Sequence, residues 1–200
     1  TCEVAPHHFL LVDEMIRSWD TNLKMNPPLR TRADVEAMRQ GLADGTIDCI
    51  ATDHAPHAQA EKEGEFDRAA NGIVGLETAV PLLLDRFVRP GLLPLATLVA
   101  RLSTDPARLF NLPGGSLSPG APGDVTILDL DRELTVDPAR FLSKGRNTPF
   151  AGWRLRGAPW MTIVGGQVVH PACRRRCSCC ATAGSFTARP WAPAARRGAR

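Results

Sequence analysis

Residues 47–57 read Ile47-Asp48-Cys49-Ile50-Ala51-Thr52-Asp53-His54-Ala55-Pro56-His57. The first part, Ile47 to Thr52, is short and apolar, as in a buried strand, and it runs straight into an acid and two imidazoles. In parallel barrels the C-terminal ends of the strands carry the catalytic groups. A carboxylate there can bind a metal and shuttle a proton. Hydrolysis of an amide requires an activated water and a protonated leaving nitrogen, which makes Asp53 a candidate for such chemistry. The same pattern also fits a buried aspartate that satisfies backbone donors beside two loop histidines. Taken alone, the stretch leaves both open.

On its N-terminal side, Thr31 opens a helix as N-cap, with Asp34 placed for a capping box. Val35, Met38 and Leu42 follow at helical spacing, and Gly45 can end the helix. Before it, Lys24-Met25-Asn26-Pro27-Pro28-Leu29-Arg30 is extended or looped, because paired prolines exclude a helix. The prolines can hold the Asn26 amide in a fixed place, where it offers donors and an acceptor to a polar substrate. A rigid connector without function fits the same residues. Thr1 to Val4 reads as a strand ending at Pro6, and Leu10 to Trp19 has a helical pattern.

On its C-terminal side, Ala58 to Gly75 reads as a long polar loop. Leu76, Ala79, Val80, Leu83, Leu84 and Phe87 then mark one apolar helical stripe, in which Pro81 is tolerable near the first turn. Pro94 to Leu102 predicts a further helix, and Asp105-Pro106 predicts an N-cap with Pro at the first position of a short helix to Phe110. After Leu112, β-like runs take over at Asp124 to Leu130, Glu133 to Val136 and Met161 to Val169.

Strand and helix alternate before residue 112, as in βα units of a parallel barrel or sheet. A full (β/α)8 barrel needs about 250 residues. Residues 1–112 supply about two units, so the rest of such a barrel is expected outside this chain. The opening in mid-strand, without a starting methionine, carries the same expectation. The expected class is α/β: residues 1–112 as the last strands and helices of a barrel, 113–170 as part of a small β subdomain, and 171–200 as a tail.

The tail changes the meaning of the composition. The net charge is +3, but the tail holds seven Arg and no acid, leaving seventeen basic against twenty-one acidic side chains in the body. No nucleic-acid surface is expected of such a body. No apolar run approaches the ~18 residues of a membrane span. Cys173, Cys177, Cys179 and Cys180 lie in the tail, which leaves Cys2 and Cys49 as scattered thiols and a reducing, cytoplasmic setting as the expectation. The tail's Arg, Ala and Cys content reads as out-of-frame translation of a GC-rich gene, with a disordered tail or a metal knot as alternatives.

The series CEVAPHH, KMNPPLR, DGTIDCIATDHAPH, GIVGLETAVPLLL and SKGRNTPFAGW, in this order, resembles class I dihydroorotases over residues 1–170. The resemblance implies an amidohydrolase barrel with a small β-sandwich built from strands at both chain ends. It implies zinc-dependent, reversible ring closure of N-carbamoyl-L-aspartate to L-dihydroorotate in pyrimidine biosynthesis. Asp53 matches the family's strand-eight aspartate, which binds metal and acts as general base. Asn26 and His57 match substrate-binding residues, His57 facing the substrate carboxylate. Gly72 matches a backbone substrate contact, next to Asn71, where the family usually has Phe. His7 and His8 match a segment after strand seven that supports the site wall, not the family's metal histidines.

Those histidines, an HxH on strand one and others on strands five and six, have no counterpart in this chain, nor has the strand-four bridging carboxylate. By itself the chain is therefore expected to be inactive and to take up little zinc. A homodimer or a complex with aspartate transcarbamoylase is implied as a partner arrangement. Two rivals share part of the pattern: a related cyclic amidase, such as an allantoinase or hydantoinase, and a non-catalytic dihydroorotase-like partner of aspartate transcarbamoylase.

Overall fold

The computed structural model of the chain describes residues 1–171. The expectations for the tail and its cysteines lie outside the described residues. Strand β1 (Glu3–Val4) pairs in parallel with β2 (Cys49–Ile50), in the register Glu3 to Cys49 and Val4 to Ile50. Both strands are shorter than their apolar runs. Pro6 has no N–H to continue the first, and Asp53 turns to a left-handed φ of 48° beyond the second.

The crossover between them carries helix α1 (Arg32–Asp44). Its start follows the expected local chemistry: Thr31 Oγ1 accepts from Asp34 N at 3.3 Å, and Asp34 Oδ2 accepts from Thr31 N at 3.1 Å. Its end follows too, since Gly45 takes φ 90°, which a side chain would resist. The helix lies tightly on the strand that follows. A Cβ on Gly41 would sit 3.2 Å from the Ile47 side chain.

Leu10 to Trp19 is not one helix. Two short 3-10 turns, Pro6–Phe9 and Asp13–Ser18, flank an extended break, and Trp19 ends the second with φ 57°. Leu11 is fully buried at that break, and Asp13 N bonds to Arg30 O at 2.9 Å. Tertiary anchoring overrides the helical periodicity there. The expected loop from Ala58 contains a short helix, α2 (Gln59–Lys62).

Helix α3 (Ala79–Leu83) runs on through one wide turn, Leu84–Val88. It begins later than its stripe suggested, and Leu76 is left exposed at 62%. The rest of the stripe is buried except for Val80, which is half-buried. Leu83, Leu84 and Phe87 join Phe9, Leu42 and Ile50 in one core, while Leu82 faces the opposite way into a second core with Leu11, Ile73, Phe150 and Leu155. Each such fully buried side chain contributes about 1.5–3 kcal/mol, so α3 is the wedge that joins the two cores.

The expected break before Asp105 is absent. Helix α4 (Leu95–Val99), a wide turn (Ala100–Thr104) and helix α5 (Asp105–Leu109) form one run, with Thr104 in helical geometry. Asp105 is not an N-cap; its carboxylate pairs with Arg101 at 3.0 Å and Arg108 at 3.1 Å. In the wide turn Asp105 N reaches back to Ala100 O. That looser spacing lets the run continue past Pro106, which has no N–H to give.

Strands β3 (Val125–Thr135), β4 (Arg154–Val164) and β5 (Gln167–Pro171) form an antiparallel sheet in that order. The two expected runs within 124–136 are one strand, with an irregularity between Asp129 and Glu133 where Asp129 Oδ1 accepts from the N–H groups of Asp131 and Arg132. Conversely, the run Met161 to Val169 is a hairpin. Gly165 and Gly166, at φ 56° and 77°, supply its two-residue turn.

Candidate active site

Beyond β2 the chain leaves the ladder at Asp53 and makes one further parallel bridge, His54 to Ile73, with Ala55 N bonded to Ile73 O at 2.9 Å. The left-handed backbone of Asp53 costs about 1 kcal/mol or more in a non-glycine residue. It turns the carboxylate outward, with 53% of the side chain exposed. Asp53 and Asn26 line one cleft of about 350 Å³, together with His8, Pro27, Arg30 and Ala51. Asn26 precedes a cis peptide bond to Pro27, and His8 Nε2 donates to Pro27 O at 2.8 Å. His8 thus braces the proline loop, as expected of a wall support.

His7 lies behind the carboxylate, its Nε2 3.9 Å from Asp53 Oδ2. That is beyond hydrogen-bond range, and Nε2 is buried without a partner. Burial, and next the neighbouring His8, push the His7 imidazole down to about 3, so it is neutral at physiological pH. Among the described residues, no group of three or more His, Cys, Asp or Glu side chains is placed to hold a metal. Zinc sites use three or four protein ligands. The residues of this segment therefore do not fit a complete zinc site; Asp53 could supply one ligand of it.

His57, Asn71 and Gly72 form a second group. His57 Nε2 donates to Asn71 O at 2.8 Å, and Nδ1 lies 3.6 Å from Glu61 Oε2. Gly72 has φ 103°, and a Cβ there would fall 2.6 Å from Ala55 Cβ, so only glycine fits. Its N–H donates to Lys24 O at 2.9 Å, two residues before Asn26, which ties this group to the first. Its carbonyl accepts from Lys62 Nζ and from Asn147 Nδ2, each at 3.1 Å. Lys62 is buried, and burial pushes its amine down to about 8 against the opposing pull of Asp20.

Three residues in these contacts were not singled out from the sequence. His54 Nδ1 accepts from Gly75 N and Leu76 N, at 3.0 and 3.3 Å, which fixes its proton on Nε2 and ties the strand exit to the start of α3. Lys62 and Asn147 support Gly72. Asn147 lies within SKGRNTPFAGW, but linear order does not show which polar side chain in such a run turns inward. Burial decides it: Asn147 is 6% exposed.

Curated proteins of similar sequence include dihydroorotases. The dihydroorotase of Pelotomaculum thermopropionicum is 57% identical over 169 residues, 84% of this chain and 40% of that protein. The dihydroorotase of Halalkalibacterium halodurans is 59% identical with the same coverage of both chains. The chain thus spans about 40% of the length of these curated relatives. Among solved structures, the L-hydantoinase (dihydropyrimidinase) of Arthrobacter aurescens matches with a TM-score of 0.81 at 34% identity, over 86% of this chain and 39% of that one. A D-hydantoinase (dihydropyrimidinase) from Thermus sp. matches at 0.78 and 28% identity, over 85% and 39%. The fold is accordingly mixed α/β and part of the larger fold of those enzymes. No helix among the described residues is long and apolar enough to cross a membrane. The family model described as "Amidohydrolase family" matches residues 10–169, and the chain belongs to that family.

Proposed function

We propose that this chain is the C-terminal portion of a dihydroorotase, which closes N-carbamoyl-L-aspartate to L-dihydroorotate and reopens it in pyrimidine biosynthesis. One observation carries the reading: a carboxylate at a strand exit shares a single cleft with a proline-braced amide, in a chain 57% identical to a dihydroorotase over 84% of its length. In ring opening, Asp53 takes a proton from the attacking water and hands it to the departing ring nitrogen; closure runs the same transfers backward. Asn26 meets the polar edge of the ring with its amide. His57 meets the substrate carboxylate with the N–H that otherwise rests on Asn71 O, and the Gly72 peptide, beside Asn71, completes that wall.

Zinc belongs to this reading with Asp53 as one ligand, the others coming from outside the segment; when bound, it would act as a Lewis acid and make the attacking water more acidic. The division at about residue 112 belongs to it too, with β3 to β5 as the share of a β-sandwich contributed here. So do a cytoplasmic setting and a homodimer or a complex with aspartate transcarbamoylase.

The test is turnover by a metal-loaded enzyme carrying this segment, followed in both directions. Asp53→Asn should lower kcat by about 100- to 10,000-fold, with the fold retained by circular dichroism. A second reading is favoured by the 34% identity to an L-hydantoinase: a cyclic amidase for a related ring. Turnover of hydantoins or allantoin without turnover of dihydroorotate would establish it in place of the first.

A further inference from the structure

We infer that Asn147 is a positioning residue that sets substrate affinity through His57. The inference rests on the reading of His57 as a substrate contact. The strand exit and the segment 72–74 share a single bridge, His54 to Ile73. Past that bridge their backbone groups have no ladder to continue in. The Asn147 amide fills the gap as a short piece of strand would. Its Nδ2 donates to Ala55 O at 2.9 Å and to Gly72 O at 3.1 Å, and its Oδ1 accepts from His57 N at 3.0 Å. Its own carbonyl accepts from Val74 N at 2.9 Å.

This task needs two donors and one acceptor on one short, rigid group, which among side chains means an amide. A longer amide has no room. The loop is pressed so closely that a Cβ on Gly145 would sit 2.8 Å from both Asn147 Oδ1 and Pro56 Cβ. Gly72 O keeps a second donor, Lys62 Nζ at 3.1 Å, when Asn147 is lost. His57 N has only the Asn147 oxygen among the described contacts. Loss of Asn147 therefore falls on His57 more than on Gly72. The loop between β3 and β4 thereby reaches across the molecule to hold the wall that carries the substrate's carboxylate.

The experiment is a double-mutant cycle in a metal-loaded enzyme carrying this segment, reading KM and kcat for dihydroorotate with metal content as a control. Asn147→Leu should raise KM about tenfold and change kcat less than about twofold, the loss expected of a buried hydrogen-bonding group. His57→Ala should raise KM as well, and in that background Asn147→Leu should add at most about twofold, because coupled residues are not additive. If Asn147→Leu fails to fold, Asn147→Asp enters the same cycle; it keeps the oxygen that holds His57 N but sets a carboxylate against two carbonyls. Additive KM effects, a fall in kcat alone, or failure of both variants to fold would overturn the positioning role while leaving His57 as a contact. An unchanged KM in His57→Ala would overturn the contact itself, and this inference with it.

Discussion

Gly72→Ala isolates two costs that can be measured apart. The new Cβ would stand 2.6 Å from Ala55 Cβ, about 1 Å inside ordinary carbon contact. Overpacking of this kind costs about 1–3 kcal/mol once neighbours relax. The φ of 103° adds a backbone cost of about 1–3 kcal/mol for any residue with a side chain. Relaxation is limited, because the Gly72 peptide is held by Lys24, Lys62 and Asn147. The expected loss is about 2–6 kcal/mol, read by urea unfolding of a protein carrying this segment. Ala55→Gly removes the carbon that is struck and leaves the φ untouched. Combined with Gly72→Ala it should restore about 1–3 kcal/mol relative to Gly72→Ala alone, once its own cost of about 0.5–1 kcal/mol is allowed for. A loss within about 0.5 kcal/mol for Gly72→Ala, or no restoration in the pair, would refute the close approach.

Thr31→Ala should cost about 1 kcal/mol by removing the cap of α1, read as a lower thermal midpoint. The same variant should blunt the acid response. The side-chain and backbone hydrogen bonds with Thr31 hold the Asp34 carboxyl below its ordinary value, so its stabilising part is present above the usual carboxylate range and lost as pH falls through the folded value. Lys62 acts at the other end of the scale. Its folded value near 8 lies below the unfolded 10.5, so the unfolded chain binds more protons between them and stability rises with pH across that window, by on the order of 1 kcal/mol after solvent screening. Lys62→Met should abolish the rise. The six cysteines titrate in the same window, and burial pushes the Cys49 thiol up, so the difference between the Lys62→Met and parent curves is what isolates the lysine.

Local chemistry was legible, and long-range chemistry was not. Thr31, Asp34 and Gly45 act on groups within a few residues, so the ends of α1 follow from the sequence alone. The buried part of the α3 stripe follows from its period, and the exit of β2 into Asp53 from a change of residue type. Leu10 to Trp19 has a helical period too, yet Leu11 is drawn into a core built from residues far along the chain. Asp105 has the right neighbour for a cap, but the arginines on either side claim it. Asp53 and Asn26 were candidates from their local chemistry, while His57, Asn71 and Gly72 came from motif resemblance alone. Their division into one cleft and one hydrogen-bonded knot is visible only in three dimensions. Asn147 and Lys62 gave no local signal, because what distinguishes them is the backbone they happen to reach.

The reach of Asn147 bears on when the protein becomes competent. His57 and Asn147 are separated by 90 positions, and contacts of such separation form late, since a long loop must close before they return anything. During synthesis the strand exit emerges well before the loop that steadies it. Until that loop arrives, His57 N lacks the Asn147 oxygen and Gly72 O lacks one of its two donors, so the knot around Gly72 is completed only after the loop between β3 and β4 has been made.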